Sequence, residues 1–252
     1  PQRLDLRPQR DGHDPGRLSA RRPANKLRAE RPRSARGMYG RHSPRRAGLA
    51  RIDLRAMTPI ETPRLRLRAF AARDLEAFLA YRADPEVARY QGWSDYTRAD
   101  AEAFFSNQAR AEFGAPDHGD QDQWYQVGVA ERASDALLGD CALHFLGERQ
   151  VELGFTLARA HQGRGYMTEA ARALLGLLFG ELEIHRVSAR LDVRNLACAK
   201  LLERLGFRRE GHLRQNVFFK GAWGDEYLYA LLAEEWTESG SSSKPPAATQ
   251  PS

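Results

Sequence analysis

The feature that most constrains this chain is a change of period. In Gln150–Leu157 (QVELGFTL), Val151, Leu153, Phe155 and Leu157 alternate with Glu152, Gly154 and Thr156, the period of two that a strand imposes. After Met167 the period lengthens. Ala171, Leu174, Leu175 and Leu178 fall at i, i+3, i+4 and i+7, one apolar stripe of a helix, with Gly180 as its expected stop. Between the two lies His161-Gln162-Gly163-Arg164-Gly165-Tyr166-Met167-Thr168-Glu169. Two glycines around an arginine allow a tight turn and a close approach by a ligand. A second strand follows, with Val187, Ala189, Leu191 and Val193 alternating. A second helix then carries Cys198, Leu201, Leu202 and Leu205 and closes at Gly206. Strand, helix, strand, helix predicts a right-handed crossover joining two parallel strands. The first helix directs its unpaired N–H groups and the positive end of its dipole into the glycine turn, which suits a phosphate-bearing ligand.

Two familiar phosphate turns do not fit. The Walker pattern needs a lysine after its last glycine, and this turn has none. A dinucleotide fingerprint requires a third glycine where Thr168 stands. Its acidic ribose ligand would fall near Glu181 and Glu183, at a helix end rather than a strand end. The run Gln162-Gly163-Arg164-Gly165-Tyr166-Met167 instead resembles motif A of the GNAT N-acetyltransferases, with Met167 in place of a small last residue. The resemblance extends to the branch that contains the ribosomal-protein N-terminal (Rim-type) acetyltransferases. It covers roughly residues 58–236: Thr62-Pro63-Arg64-Leu65-Arg66-Leu67-Arg68, Asp74-Leu75, Asp84-Pro85-Glu86-Val87, His185-Arg186-Val187, Asn195, Leu202-Glu203-Arg204-Leu205-Gly206-Phe207 and the closing Gly224-Asp225-Glu226-Tyr227-Leu228-Tyr229-Ala230-Leu231-Leu232.

The resemblance implies an α/β (α+β) fold: a mixed, mostly antiparallel central sheet flanked by helices, with acetyl-CoA held between two splayed parallel strands. It implies that Phe155, Thr156 and Leu157, the turn residues Gln162, Gly163, Arg164, Gly165, Tyr166 and Met167, and Asn195 bind acetyl-CoA. Asn195 is equally suited to cap the following helix. Arg164 suits phosphate by its planar fork, or points to solvent while the backbone binds. The acceptor is an amine, either a protein N-terminus such as that of a ribosomal protein or a small molecule.

Amine attack on a thioester needs a base for the ammonium proton and no enzyme nucleophile. Glu152, on the strand before the turn, is the leading base candidate, against an outward-facing ion-paired residue. Asp192, three residues before Asn195, is the second, against a role in capping its turn. Asp225 and Glu226 suit either attraction of a cationic acceptor or a solvated hairpin. His144 reads as a hydrogen-bonded core histidine, His161 as a turn residue and Cys198 as a small core residue. Tyr227 and Tyr229 suit strand packing or protonation of the thiolate. The tyrosine acid of many relatives would fall near Leu202, so the leaving thiolate is expected to be protonated by solvent. A non-catalytic acyl-CoA-binding module is the alternative, and an aminoglycoside-type acetyltransferase a narrower one.

Elsewhere the pattern predicts a short first strand with Leu65 and Leu67 inward, helices over Leu75–Ala83 and 98–112, a polar loop over 114–122 and strands over Trp124–Glu131 and 137–145. The two cysteines, Cys141 and Cys198, offer neither a disulfide framework nor a metal cluster, so no metal is expected. No apolar run reaches the roughly 20 residues of a membrane span, and no signal peptide is visible. A cytoplasmic monomer or homodimer is the expectation.

The net charge of +6 conceals an asymmetry: residues 1–56 hold 16 basic and 5 acidic residues, the remainder 23 and 28. That arm lacks apolar periodicity, so 1–57 is expected to be a disordered basic extension and 238–252 a disordered tail, flanking an acetyltransferase domain at 58–237. A basic arm suits nucleic acid, but a solvated or artefactual extension is preferred and nucleic acid is not expected as a partner. A chain begun at Met57 is therefore expected to keep its melting temperature. A large fall on truncation would show that the arm packs on the domain.

Overall fold

The computed structural model describes residues 59–108, 124–147 and 149–236. The basic arm, the predicted loop at 114–122, the predicted helix beyond Gln108 and the C-terminal tail lie outside them. Among the described residues, eight strands form one sheet in the order β1-β2-β3-β4-β5-β6-β8-β7. They are β1 (Ile60–Glu61), β2 (Leu65–Arg68), β3 (Trp124–Glu131), β4 (Leu137–Gly147), β5 (Gln150–Leu157), β6 (Arg186–Asp192), β7 (Arg208–Phe219) and β8 (Ala222–Leu232). Every neighbouring pair is antiparallel except β5 and β6, which run parallel. The mixed, mostly antiparallel sheet of the sequence reading is thus present.

Helices α1 (Leu75–Ala83), α2 (Pro85–Ala88), α3 (Arg98–Gln108), α4 (Tyr166–Gly176) and α5 (Leu196–Arg204) complete the fold. The strand period decides which face each helix covers. Odd positions of β4, β5 and β6 (Cys141, Leu143, Val151, Leu153, Val187, Ala189) form one core with Met167, Ala171, Leu174 and Leu175 of α4 and Leu202 of α5. Each such fully buried leucine is worth roughly 1.5–3 kcal/mol. On the opposite face Asp140 of β4 meets α1, where Phe78 and Tyr81 cluster with Ala101 of α3 and Leu137.

Three elements depart from expectation. The crossover helix does not run to Gly180 as α-helix. It passes at Leu177 into a π turn (Leu177–Glu181), with Leu182 N–H bonded to the Leu177 carbonyl (3.0 Å). The predicted first strand has a two-residue partner, β1, upstream. The long edge strand β7 escaped the sequence reading: its covered side is only partly buried, at Gly211, Leu213, Val217 and Phe219, and exposed Gln215 interrupts it within a register shift. The β7–β8 turn, at Lys220 and Gly221 with positive φ, reaches back to α2: Lys220 Nζ donates to the Ala88 carbonyl (2.6 Å).

Strand alternation alone does not account for one arginine. Arg68, which alternates with leucines in β2, is 8% exposed and its guanidinium binds Asp74 (2.6 Å) and Asp135 (2.9 Å). A second buried pair joins α1 to β4. Asp140, 1% exposed, accepts from Tyr81 Oη (2.6 Å) and Arg82 Nη2 (3.0 Å), and the Arg82 guanidinium lies 4.0 Å from the Trp93 ring centroid. Removing one partner strands the other charge away from water. Asp140→Ala is expected to cost about 3–5 kcal/mol, read as a lowered urea midpoint. An unchanged midpoint would show that water reaches Arg82.

Candidate active site

The site begins where β5 and β6 part. They are paired only at Gln150–Arg186, Val151–Val187 and Glu152–Ser188. Beyond that, residues 153–157 follow β4 and residues 189–192 follow β8. Gly139 of β4 permits this divergence, since a Cβ there would sit 2.2 Å from the Thr156 carbonyl oxygen. Only glycine lets β4 and the end of β5 approach so closely.

Between the diverging ends lies a cleft of about 650 Å³. Phe155, Thr156 and Leu157 line one wall, Gln162, Gly163, Gly165, Tyr166 and Met167 one end, and Asn195 the head of α5. The side chain of Arg164 is not part of the lining and is exposed. The freed edge of β5 has two of its carbonyls answered by glutamines. Gln91 Nε2 donates to Phe155 O (3.1 Å), and Gln162 Nε2 donates to Leu157 O (2.9 Å). The glutamine that opens the turn thus ties it to the strand.

Gly163 and Gly165 have φ of +74° and +76°, values that L side chains rarely adopt. Gly165 is the N-cap of α4, and no side chain caps that helix. No side chain therefore occupies its first N–H groups, and an uncapped helix start behind a glycine turn can accept an anion. Arg89, Arg159, Lys200 and Arg204 place positive charge along the same cleft. These features fit a pyrophosphate-bearing ligand such as acetyl-CoA. Met167, where a small residue was expected, turns inward and rests its sulfur 3.7 Å from Cys141 Sγ.

The carboxylates divide. Glu152 sits at the last β5–β6 pair, where the strands part, and opposite His144 on β4. Burial pushes its carboxyl above the ordinary range; Arg190 and His144 oppose this and Glu226 adds to it. His144 stacks on Trp124, ring centroids 5.0 Å apart. Asp192 is engaged elsewhere. Arg194 donates to it through its amide (2.8 Å), Nε (2.8 Å) and Nη2 (2.6 Å), and those bonds hold its carboxyl below the ordinary range. Asp225 accepts from Gln215 N (2.8 Å) and pairs with His212 (2.6 Å), inside a register shift of the β7–β8 hairpin.

Other candidates resolve into structural parts. Asn195 Oδ1 caps α5 by accepting from Cys198 N (3.2 Å), while the residue lines the cleft. Tyr229 Oη donates to Glu203 (3.0 Å), and Tyr227 lies under Arg209 (4.6 Å); neither lines the cleft. Burial pushes the Cys198 thiol up to about 12, so it stays protonated at neutral pH. His161 packs near Tyr166.

Sequence reasoning missed the far wall, where Val87, Tyr90 and Gln91 on and beyond α2 face the cleft. It also gave no role to Thr62, Arg64 and Glu169, which meet behind the turn. Thr62 Oγ1 (2.6 Å), the Arg64 amide (2.9 Å) and Arg64 Nε (2.6 Å) all donate to the Glu169 carboxylate. They hold its pKa low against the opposing effect of burial.

Comparison with known proteins agrees with this geometry. The acetyltransferase (GNAT) domain matches residues 64–208. An uncharacterized N-acetyltransferase of Bacillus subtilis, YnaD, is 32% identical over 178 residues, 70% of this chain and 98% of that protein. The [ribosomal protein uS5]-alanine N-acetyltransferase of Escherichia coli is 35% identical over 85 residues, 34% of this chain and 44% of that one. The crystal structure of a GNAT-family acetyltransferase from Bacillus anthracis superposes with a TM-score of 0.63 at 29% identity, covering 71% of this chain and all of that one. A parted parallel strand pair, an uncapped helix behind a glycine turn and a domain match over more than half the sequence lead to one conclusion: this chain belongs to the GNAT family of acetyl-CoA-dependent acetyltransferases.

Proposed function

We propose that the protein transfers an acetyl group from acetyl-CoA to a primary amine by direct attack, with Glu152 as the base. The observation that carries this reading is the position of Glu152, a half-buried carboxyl at the last β5–β6 pair, beside but not among the residues that line the cleft. Acetyl-CoA supplies the activated thioester. The bare backbone at Gly163–Gly165 and the first N–H groups of α4 hold its pyrophosphate. The freed edge at Phe155–Leu157, together with Asn195, aligns its pantetheine arm.

Glu152 takes the ammonium proton, since only the free amine attacks. Its neighbours suit the task. Partial burial and Glu226 keep the proton affinity of the carboxyl higher than that of an exposed glutamate, while Arg190 and His144 keep the charged form accessible. Asp192, held by Arg194, shapes the turn into α5 and leaves the base role to Glu152. The acceptor is a primary amine; the ribosomal-protein alanine acetyltransferase among the relatives makes a protein α-amine the first class to screen. Such a screen follows thiol release with N-terminal peptides, polyamines and aminoglycosides in parallel.

Two outcomes are expected. Gly165→Glu adds bulk at a positive-φ position and negative charge where the pyrophosphate lies, so the folded variant should lose acetyl-CoA binding by calorimetry. Unchanged affinity would remove the turn from the site. Glu152→Gln should leave that affinity intact and lower kcat by roughly 10²-fold. The sign with pH follows from the base role: the carboxylate is the working form, so parent activity rises as pH climbs through the raised pKa of Glu152. The deficit of the variant narrows as pH approaches the pKa of the amine. A variant profile that overlays the parent at every pH would exclude Glu152.

A further inference from the structure

The segment Thr62-Pro63-Arg64 joins β1 to β2 and takes no part in the chemistry above, yet its polar groups converge on the phosphate turn. Besides its bonds to Glu169, the Arg64 guanidinium donates from Nη1 to the Arg164 carbonyl (2.9 Å) and lies 4.5 Å from the Tyr166 ring centroid. One side chain therefore holds a carbonyl in the middle of the Gly163-Arg164-Gly165 turn and a carboxylate in the first turn of α4. Its Nη2 lies 3.6 Å from the point a Cβ of Gly165 would occupy, which puts positive charge beside the turn.

The energetics point away from a purely structural purpose. Arg64 is 46% exposed, and ion pairs so open to water add little to stability. The turn, by contrast, has few restraints of its own. Two glycines in the left-handed region bracket Arg164, no side chain caps α4, and Gln162 ties down only the leading end. Glycine backbones have many conformations to leave behind when a ligand binds, and fixing them beforehand lowers that cost. The Arg64 fork, itself fixed by Glu169 and Thr62, does this at the peptide between the glycines.

We propose that Arg64, locked by Thr62 and Glu169, is a positioning residue that holds the Gly163-Arg164-Gly165 turn in its anion-receiving shape, so that affinity for the pyrophosphate of acetyl-CoA is set from the segment before β2. The proposal rests on the assignment of that turn to acetyl-CoA. A lysine at position 64 keeps the charge but cannot reach both partners as a planar fork does.

The test uses calorimetry on the full chain with acetyl-CoA, alone and against inorganic pyrophosphate as competitor, for the parent, Arg64→Lys and Glu169→Gln. The parent should bind acetyl-CoA and be competed by pyrophosphate. If pyrophosphate does not compete in the parent, the assignment of the turn fails, whatever the variants do. Each variant should keep its melting temperature, weaken acetyl-CoA binding about tenfold, equivalent to ~1.4 kcal/mol, and lose competition by pyrophosphate. The double variant should be no weaker than either single one, since both break one clamp. Unchanged acetyl-CoA affinity in the variants would overturn the proposal. So would weakened affinity with pyrophosphate competition intact, because Arg64 would then act elsewhere. Loss of folding in both variants would also overturn it, by showing that the clamp supports the domain rather than the turn.

Discussion

The cleft exists because β5 and β6 remain paired for only three residues and are then drawn outward by different neighbours. Parallel strands joined by a crossover helix normally stay together. Here β4 holds the end of β5 closely, through the space left by Gly139, and β8 holds the end of β6. The sheet is continuous at one end of the pair and open at the other. The remaining parts of the site follow from that division. The crossover must leave β5 at the open end, so the glycine turn and the head of α4 fall there. Asn195 arrives from the other side at the head of α5, and Glu152 is left at the vertex.

Much of this was legible from residue spacing. The shift from period two to period 3.6 around Gly163 and Gly165 fixed β5, the turn, α4, β6 and α5 in order, and the residues named for the cofactor converge on one cleft, apart from the Arg164 side chain. What spacing could not carry was anything decided by partners distant in sequence. Arg68 looks like an outward strand residue until Asp74 and Asp135 are seen to surround it. Asp192 looks available until Arg194 closes on it. β7 gives a weak periodic signal because an edge strand buries none of its residues fully, and its half-covered side is interrupted at Gln215. Arg64 stood in a recognised pattern, but its role required knowing that the chain returns to it 105 residues later.

The two halves of the site are built from different materials. At the turn the two glycines leave the main chain bare, Met167 turns inward toward Cys141 and the Arg164 side chain points away from the cleft lining. At the vertex side chains gather about Glu152: Arg190, His144 and Glu226 act on its charge, and His144 stacks on Trp124. Backbone recognition tolerates change in side-chain identity, whereas the vertex depends on it.

The small helix α2 is joined to both sides of the opening. Gln91, just beyond it, is bonded to β5, and the carbonyl of Ala88 at its end is bonded to Lys220 on the β7–β8 turn. The four-residue helix and its flank thus act as a cross-beam between two diverging walls. Spreading those walls would therefore break two side-chain hydrogen bonds in addition to straining the strand pairing at the vertex.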